Sequence, residues 1–318
     1  MLVTIVVPVF NRAHTLPRLF DSLKGQDYRP LEIILVDNNS TDESLAVCRQ
    51  FSEQETQEDF SVLVAQEQTP GAAAARNCGL KFARGEWVSF FDSDDEMSHD
   101  FISSMLAALE KCPTADFVAT RSKMVFEDGT EQVRGGLEHL SLHTHILSAA
   151  LSTQSFVARV AYIKEIGGWN SQVLFWNDYE LGIRMLQNTC DFVVLDRAFH
   201  RIYQHKDSIT GASLRASFPK MQVALPIIEQ QILTHNYSSP TAYRLALVAL
   251  YFRLCILAGK LQQEGNREAK LWLTQRAERV VQLQTVSKCA QFIGRLLRFY
   301  TAHGGRGAWR IASEVIRF

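Results

Sequence analysis

Apolar residues in the first third of the chain arrive in short unbroken runs, each followed by a stretch whose apolar positions recur at helical spacing. VTIVVPVF (3–10), LEIILVD (31–37), FSVLVAQ (60–66) and EWVSFFD (86–92) are rich in β-branched and aromatic residues and alternate little with polar ones. Strands buried on both faces of a parallel sheet read this way. Between them HTLPRLFDSLKGQ (14–26), DESLAVCRQFSEQ (42–54) and the Ala-rich GAAAARNCGLKFA (71–83), opened by Gly71, predict helices. The fold class is α/β, a mostly parallel sheet flanked by helices. Such sheets bind ligands at the carboxyl ends of their strands. Polar residues stand at those ends: Asn11 after the first run, DNNSTD (37–42) after the second and DSDD (92–95) after the fourth.

The middle of the chain mixes β-like runs, DFVATRSKMVF (116–126) and DFVVLD (191–196), with a Gly-Gly turn at Gly167 and Gly168. Beyond Pro219 helical spacing dominates. AYRLALVALYFRLCILAGKLQQ (242–263) sets Leu247, Leu250, Leu254, Leu257 and Leu261 on one face, and REAKLWLTQRAERVVQLQ (267–284) continues the pattern. A boundary is therefore expected near residue 215, with a catalytic domain over 1–215 and a helical extension over 216–318. The most apolar stretch, 245–258, carries Arg253 and falls short of the roughly 20 residues that cross a bilayer, so it reads as a helix of a soluble domain.

At 318 residues and 47% hydrophobic, the chain can bury a full catalytic domain and an appendage. Its net charge of −1 gives no basic field of the kind phosphate neutralisation requires, which argues against a nucleic-acid partner. The six cysteines are scattered without CxxC or Cys/His metal spacing, as expected of reduced thiols in the cytoplasm. The apolar N-terminus lacks a basic leader and a small-residue cleavage site, and reads as a first strand.

FFDSDDEM (90–97) crowds four acids behind a buried run. Acids two apart at a strand end can share one hard cation, since Mg²⁺ or Mn²⁺ takes one or two protein carboxylates and fills its shell with water and phosphate oxygens. The alternative is that they cap the following helix. An EF-hand loop is excluded, because its turn Gly and twelfth-position Glu are misplaced. A strand followed by D-x-D also suits an aspartate-nucleophile phosphatase, with Asp92 attacking phosphate, although here the acids follow the fourth strand.

Six segments in order, VPVFN (7–11), VDNNSTD (36–42), GAAAARNCGL (71–80), FFDSDDEM (90–97), IGGWN (166–170) and WNDYELGIRML (176–186), resemble glycosyltransferase family 2 over about residues 3–210. The resemblance implies a GT-A fold and inverting transfer of a sugar from a nucleotide donor, usually UDP-linked, with a divalent metal, Mn²⁺ or Mg²⁺. By position it assigns Asp37 to the base or ribose, with Pro8, Val9 and Asn11 beside it, and Arg76 to the nucleotide. Asp92 and Asp94 take the places of the D-x-D pair, Asp94 as direct metal ligand and Asp92 nearer the ribose or metal waters. Family members carry their general base as the Asp of a Glu-Asp pair at a helix start. Here that pair is Asn177-Asp178, so Asp178 is the expected base, and Asn177 departs from the pattern at a position that bears on the acceptor.

These residue types suit the task independently of the resemblance. A ribose needs a hydrogen-bond acceptor, a diphosphate needs positive charge, and an attacking hydroxyl needs a carboxylate to take its proton. Glu180 is the alternative base. His205, in YQHKDSIT (203–210), is a candidate third metal ligand, and Trp169 and Trp176 are candidate sugar contacts. The Arg-rich apolar tail suits either a membrane surface, where lipid-linked acceptors lie, or packing on a second copy. The expectation is a metal-dependent glycosyltransferase, cytoplasmic or peripheral at the membrane's inner face, acting on a glycan or lipid-linked acceptor. The alternatives are a non-catalytic nucleotide- or glycan-binding module and the phosphatase.

Overall fold

The computed structural model describes residues 1–134, 137, 139–204, 213–283 and 285–317, the last without its side chain. Each apolar run of the first third becomes a strand and each stretch of helical spacing a helix. In chain order these are β1 (Val3–Val9), α1 (Leu16–Lys24), β2 (Leu31–Asp37), α2 (Ser44–Glu55), β3 (Phe60–Gln66), α3 (Ala72–Phe82) and β4 (Trp87–Phe90). Then follow β5 (Glu96–Met97), α4 (Phe101–Lys111), β6 (Phe117–Val125), β7 (Glu131–Arg134), α5 (Leu142–Ser148), β8 (Phe156–Arg159), α6 (Val160–Glu165), α7 (Asn177–Asn188) and β9 (Phe192–Tyr203). The remainder is helical: α8 (Leu214–Thr234), α9 (Pro240–Gln263), α10 (Arg267–Gln282), α11 (Lys288–Ala302) and α12 (Ala308–Arg317).

The chain divides into two compact units, one of Met1–Glu138 with Leu151–His205, the other of His139–Ala150 with Lys206–Phe318. The boundary expected near residue 215 thus falls inside the second unit, and α5, in the middle of the sequence, groups with the late helices. No local pattern marks α5 as different, because its partner α9 lies about a hundred residues further along.

In the first unit the strands run in the order β3-β2-β1-β4-β8-β6-β9-β5, with β7 paired to β6. β3, β2, β1 and β4 are mutually parallel. β8 is antiparallel to both β4 and β6, and β9 returns parallel to β6. Alternate residues feed opposite faces, as the pleat requires. Val3, Ile5, Val7 and Val9 join Leu19, Cys48 and Met105 of α1, α2 and α4 in one core. On the other face α3 lies so close that a Cβ on Gly79 would come within 2.3 Å of Val6. This parallel stacking brings the carboxyl ends of β2, β1 and β4 side by side.

In the second unit α9 extends over 24 residues, longer than the run read from sequence. By length and composition it could cross a membrane, yet 78% of its apolar window is buried by neighbouring chain. Arg253 is tolerated there because its guanidinium donates to the Leu147 carbonyl at 3.0 Å and stands over the Trp309 ring.

Candidate active site

The β1 and β2 ends are tied together by their own polar residues. Asn11 adopts φ 52°, a left-handed conformation asparagine tolerates. Its backbone N–H donates to Ser40 Oγ at 3.0 Å and its side-chain oxygen accepts the Thr41 N–H at 2.8 Å. Asn38 donates to the carbonyls of Glu67 and Thr69 at 2.7 and 2.8 Å and accepts the Gly71 N–H at 2.7 Å. That last bond fixes the start of α3, where Gly71 sits at φ 119°, a region closed to side-chain-bearing residues.

Pro8 lies half-buried in β1, and Val9 points into the core while its carbonyl accepts the Asn38 N–H at 2.8 Å. Asp37, at the last position of β2, is 2% exposed. Its Oδ1 has no hydrogen-bond partner among the described residues. A buried carboxylate oxygen without a donor costs free energy, so this atom can accept from a ligand hydroxyl or N–H.

Arg76 is the hub. α3 delivers it, 4% exposed, to the end of β4, where it donates to Asp92 at 2.7 Å and to the Asn177 side-chain oxygen at 3.5 Å. Its guanidinium lies 4.4 Å over the Trp169 ring. Trp169 is itself 2% exposed, edge-on to Phe90 at 5.1 Å, so its rings support Arg76 from within the core. Asn177 opens α7 behind Trp176, which takes φ 62° and stacks on Phe175 at 4.7 Å. Asp178 follows, half-buried, accepting the Tyr179 N–H at 2.8 Å. Glu180 is 2% exposed and clamped by Arg184 through both oxygens at 2.8 and 2.7 Å. That clamp commits both Glu180 oxygens to Arg184.

The acids of 92–96 divide by role. Asp92 is held protonated to a higher pH than an ordinary aspartate, first because protein displaces its water, then because Asp94 and Asp178 repel its charge, with Arg76 opposing. Asp94 accepts from Arg12 Nε at 3.2 Å, Arg18 donates to its carbonyl, and Thr15 donates to the Ser93 carbonyl at 2.9 Å, so the start of α1 braces the loop. Asp95 is 2% exposed, accepting from Gln154 and from the Tyr203 N–H at 2.8 Å. Its carboxyl is also raised, by burial first and then by Asp94 and Asp92. Glu96 lies in β5 and accepts from the Tyr203 hydroxyl at 2.8 Å. Neither Asp95 nor Glu96 caps the next helix, whose N-cap is Asp100. They fasten β9 to the acidic loop instead.

Among the described residues no three His, Cys, Asp or Glu side chains stand together as a ligand set; His205 lies outside them. Asp94 and Asp92 repel each other's charge, and each is met by an arginine, Arg12 at 3.2 Å and Arg76 at 2.7 Å; paired carboxylates are the donor type a hard cation takes alongside phosphate oxygens and water.

With this geometry in hand, residues 4–158 match the family model for Glycosyl transferase family 2. Over that segment, just under half of its length, the chain is similar to glycosyltransferase family 2. It is 37% identical over 103 residues to glycosyltransferase GlyA of Streptococcus pneumoniae, covering 32% of this chain and 14% of GlyA. It is 31% identical over 109 residues to the UDP-Glc:alpha-D-GlcNAc-diphosphoundecaprenol beta-1,3-glucosyltransferase WfaP of Escherichia coli, covering 34% of this chain and 41% of WfaP. The chain thus spans less than half the length of these two curated relatives. S. aureus TarS 1–349 in complex with UDP-GlcNAc superposes with a TM-score of 0.70 at 19% identity, covering all of this chain and 92% of TarS 1–349. That likeness is one of fold, the GT-A arrangement expected from the sequence.

The structure gathers Arg76, Asp92, Asn177 and Trp169 into one cluster, with Asp178 near enough to act on Asp92's charge, and sets Asn11 beside the Asp37 strand end. Sequence reasoning missed Arg12, Asn38 and Gln154. Arg12 and Asn38 were within reach, since each stands next to a strand-end residue already singled out. Gln154 had no signal, because its partner Asp95 is far away in sequence.

Proposed function

We propose that this chain is an inverting glycosyltransferase that moves a sugar from a nucleoside-diphosphate sugar, UDP-linked, to the hydroxyl of a glycan or lipid-linked acceptor at the cytoplasmic face of a membrane. The carrying observation is the meeting of Arg76, Asp92 and Asn177 at the edge where three parallel strands end. The family-model match over residues 4–158 supports the reading, and WfaP's name pairs a UDP sugar with a diphosphoundecaprenol acceptor.

Asp37 takes the ribose or base through its unpartnered oxygen, with Asn11 holding the neighbouring loop. Arg76 sits between Asp92 and the donor's diphosphate, carrying positive charge where negative charge gathers. Asp178 removes the acceptor hydroxyl's proton as the oxygen attacks the anomeric carbon. Its neighbours suit that role: Asn177 adds no negative charge, and Arg184 neutralises Glu180 one turn away. A divalent cation, Mn²⁺ or Mg²⁺, would be held by Asp94 with Asp92, and would supply charge stabilisation to the leaving diphosphate.

The test is a screen of nucleotide sugars with Mn²⁺, reading nucleotide release and transfer to a lipid diphosphate-linked saccharide. Wild type turns over one donor. Asp178→Asn keeps metal-dependent donor binding and loses transfer by about 10²–10⁴-fold, the range of one general base. Full activity in Asp178→Asn overturns the assignment. Donor binding without turnover in wild type, with any acceptor, favours a binding module instead.

A further inference from the structure

α11 is apolar on two opposite faces, and its neighbours account for only one. Ala290, Gly294, Leu297 and Thr301 recur along a single stripe and are all buried. A Cβ on Gly294 would come within 2.3 Å of the Tyr251 ring, and one on Gly259 of α9 would come within 1.9 Å of Thr301 Oγ1. Small residues thus let α9 and α11 approach closely. That close fit fixes α11's rotation, because turning the helix would drive bulky residues into the space Gly259 and Gly294 keep open.

The opposite face is therefore held outward. Phe292, Leu296 and Phe299 follow at i, i+4 and i+7 and are 61%, 50% and 64% exposed. Three large apolar side chains in a continuous stripe differ from the single exposed ones every surface carries. Lys288 and Arg295 line one edge of the stripe, exposed and outside any ion pair among the described residues. Between Ser287 and Arg317 the sequence has six basic residues and one acid, Glu314.

We infer that the exposed face of α11 is a docking surface for an anionic lipid bilayer, with Phe292, Leu296 and Phe299 entering the headgroup boundary and Lys288 and Arg295 pairing with lipid phosphates. An apolar stripe edged by basic side chains is the pattern of a helix lying in the membrane interface. Charge chooses between occupants. A second copy would bring the same basic edge against this one and repel it, whereas an anionic surface complements it. The inference stands on the second unit alone and does not depend on the transferase reading.

The experiment is co-sedimentation of the full chain with phosphatidylcholine vesicles, with and without phosphatidylglycerol. Wild type binds the phosphatidylglycerol vesicles, more weakly as salt rises, and binds neutral vesicles at least tenfold more weakly. Phe292→Ser with Phe299→Ser, and separately Lys288→Glu with Arg295→Glu, each lower affinity for anionic vesicles at least tenfold. All four sites are exposed, so melting curves stay close to wild type; if the serine pair melts early, the charge pair carries the test. Absence of wild-type binding overturns the inference, as does binding indifferent to both pairs. A dimer in sedimentation equilibrium that the serine pair dissociates, without vesicle binding, assigns the face to a second copy.

Discussion

Arg76 ties three chain segments together, and its replacement separates charge from geometry. Arg76→Ala strips Asp92 of its counter-charge and leaves a space over Trp169. A fully buried broken pair costs about 3–5 kcal/mol. Asp92's side chain is 34% exposed, so we expect roughly 1–3 kcal/mol here, read as a fall in melting temperature. Arg76→Lys keeps the charge but loses the planar fork that reaches Asp92 and Asn177 from two nitrogens while stacking on Trp169; it should fold and bind donor more weakly. Asp95→Asn tests a different role. Both of its partners, Gln154 and the Tyr203 N–H, are donors, and an amide offers them one oxygen where the carboxylate offers two. The Asn oxygen can keep the Tyr203 N–H while its NH₂ donates to a turned Gln154 amide, so we expect a loss of at most about 1 kcal/mol in thermal denaturation.

At the scale of elements, what the sequence announced was whatever rested on neighbouring residues. β2 and β3 fall on the expected spans and α3 begins after Gly71, because unbroken apolar runs and a glycine at positive φ are local signals. β9 runs on to Tyr203, well past the expected 196, since its later residues are fixed by pairing with β6 and β5. That pairing buries His200 between the edges of Phe91 and Phe101, with ring centroids 5.7 and 4.9 Å away. Burial lowers its pKa from 6.5 to about 3. The folded form therefore holds a neutral ring, and the stability this confers is present above pH 6.5 and drains away as pH falls toward 3, at up to about 1.4 kcal/mol per pH unit. His200→Phe should flatten the melting temperature between pH 6.5 and 4 relative to wild type. In the second unit, Gly259→Ala forces a methyl against Thr301 and the Arg298 carbonyl. Overpacking of this kind costs about 1–3 kcal/mol, measurable by chemical denaturation.

For the molecule as a whole, the order of motifs pointed to the family whose model matches residues 4–158, while the grouping of α5 with the late helices was hidden by its distance from α9. The site was legible in residue types but not in pairings: Arg76 and Asp92 could be named, yet their ion pair depends on β4 lying next to β1 under α3. Pairing of this kind makes a prediction about ligand-linked stability. In the proposed reading, nucleotide and cation bind the folded chain alone, so they stabilise it by mass action, about 2.7 kcal/mol at a hundredfold excess over Kd. For a unit of this size that is a rise of roughly 5–10 °C in melting temperature. UDP with Mn²⁺ should give this shift in wild type and in Asp178→Asn, because the proposed role of Asp178 is on the acceptor. Asp94→Asn should keep only the part seen with UDP alone, because it removes the proposed cation ligand. Equal shifts in all three proteins, measured by scanning calorimetry, would take the cation away from the D-x-D acids. A shift that Asp178→Asn loses would move that residue from the acceptor side to the donor.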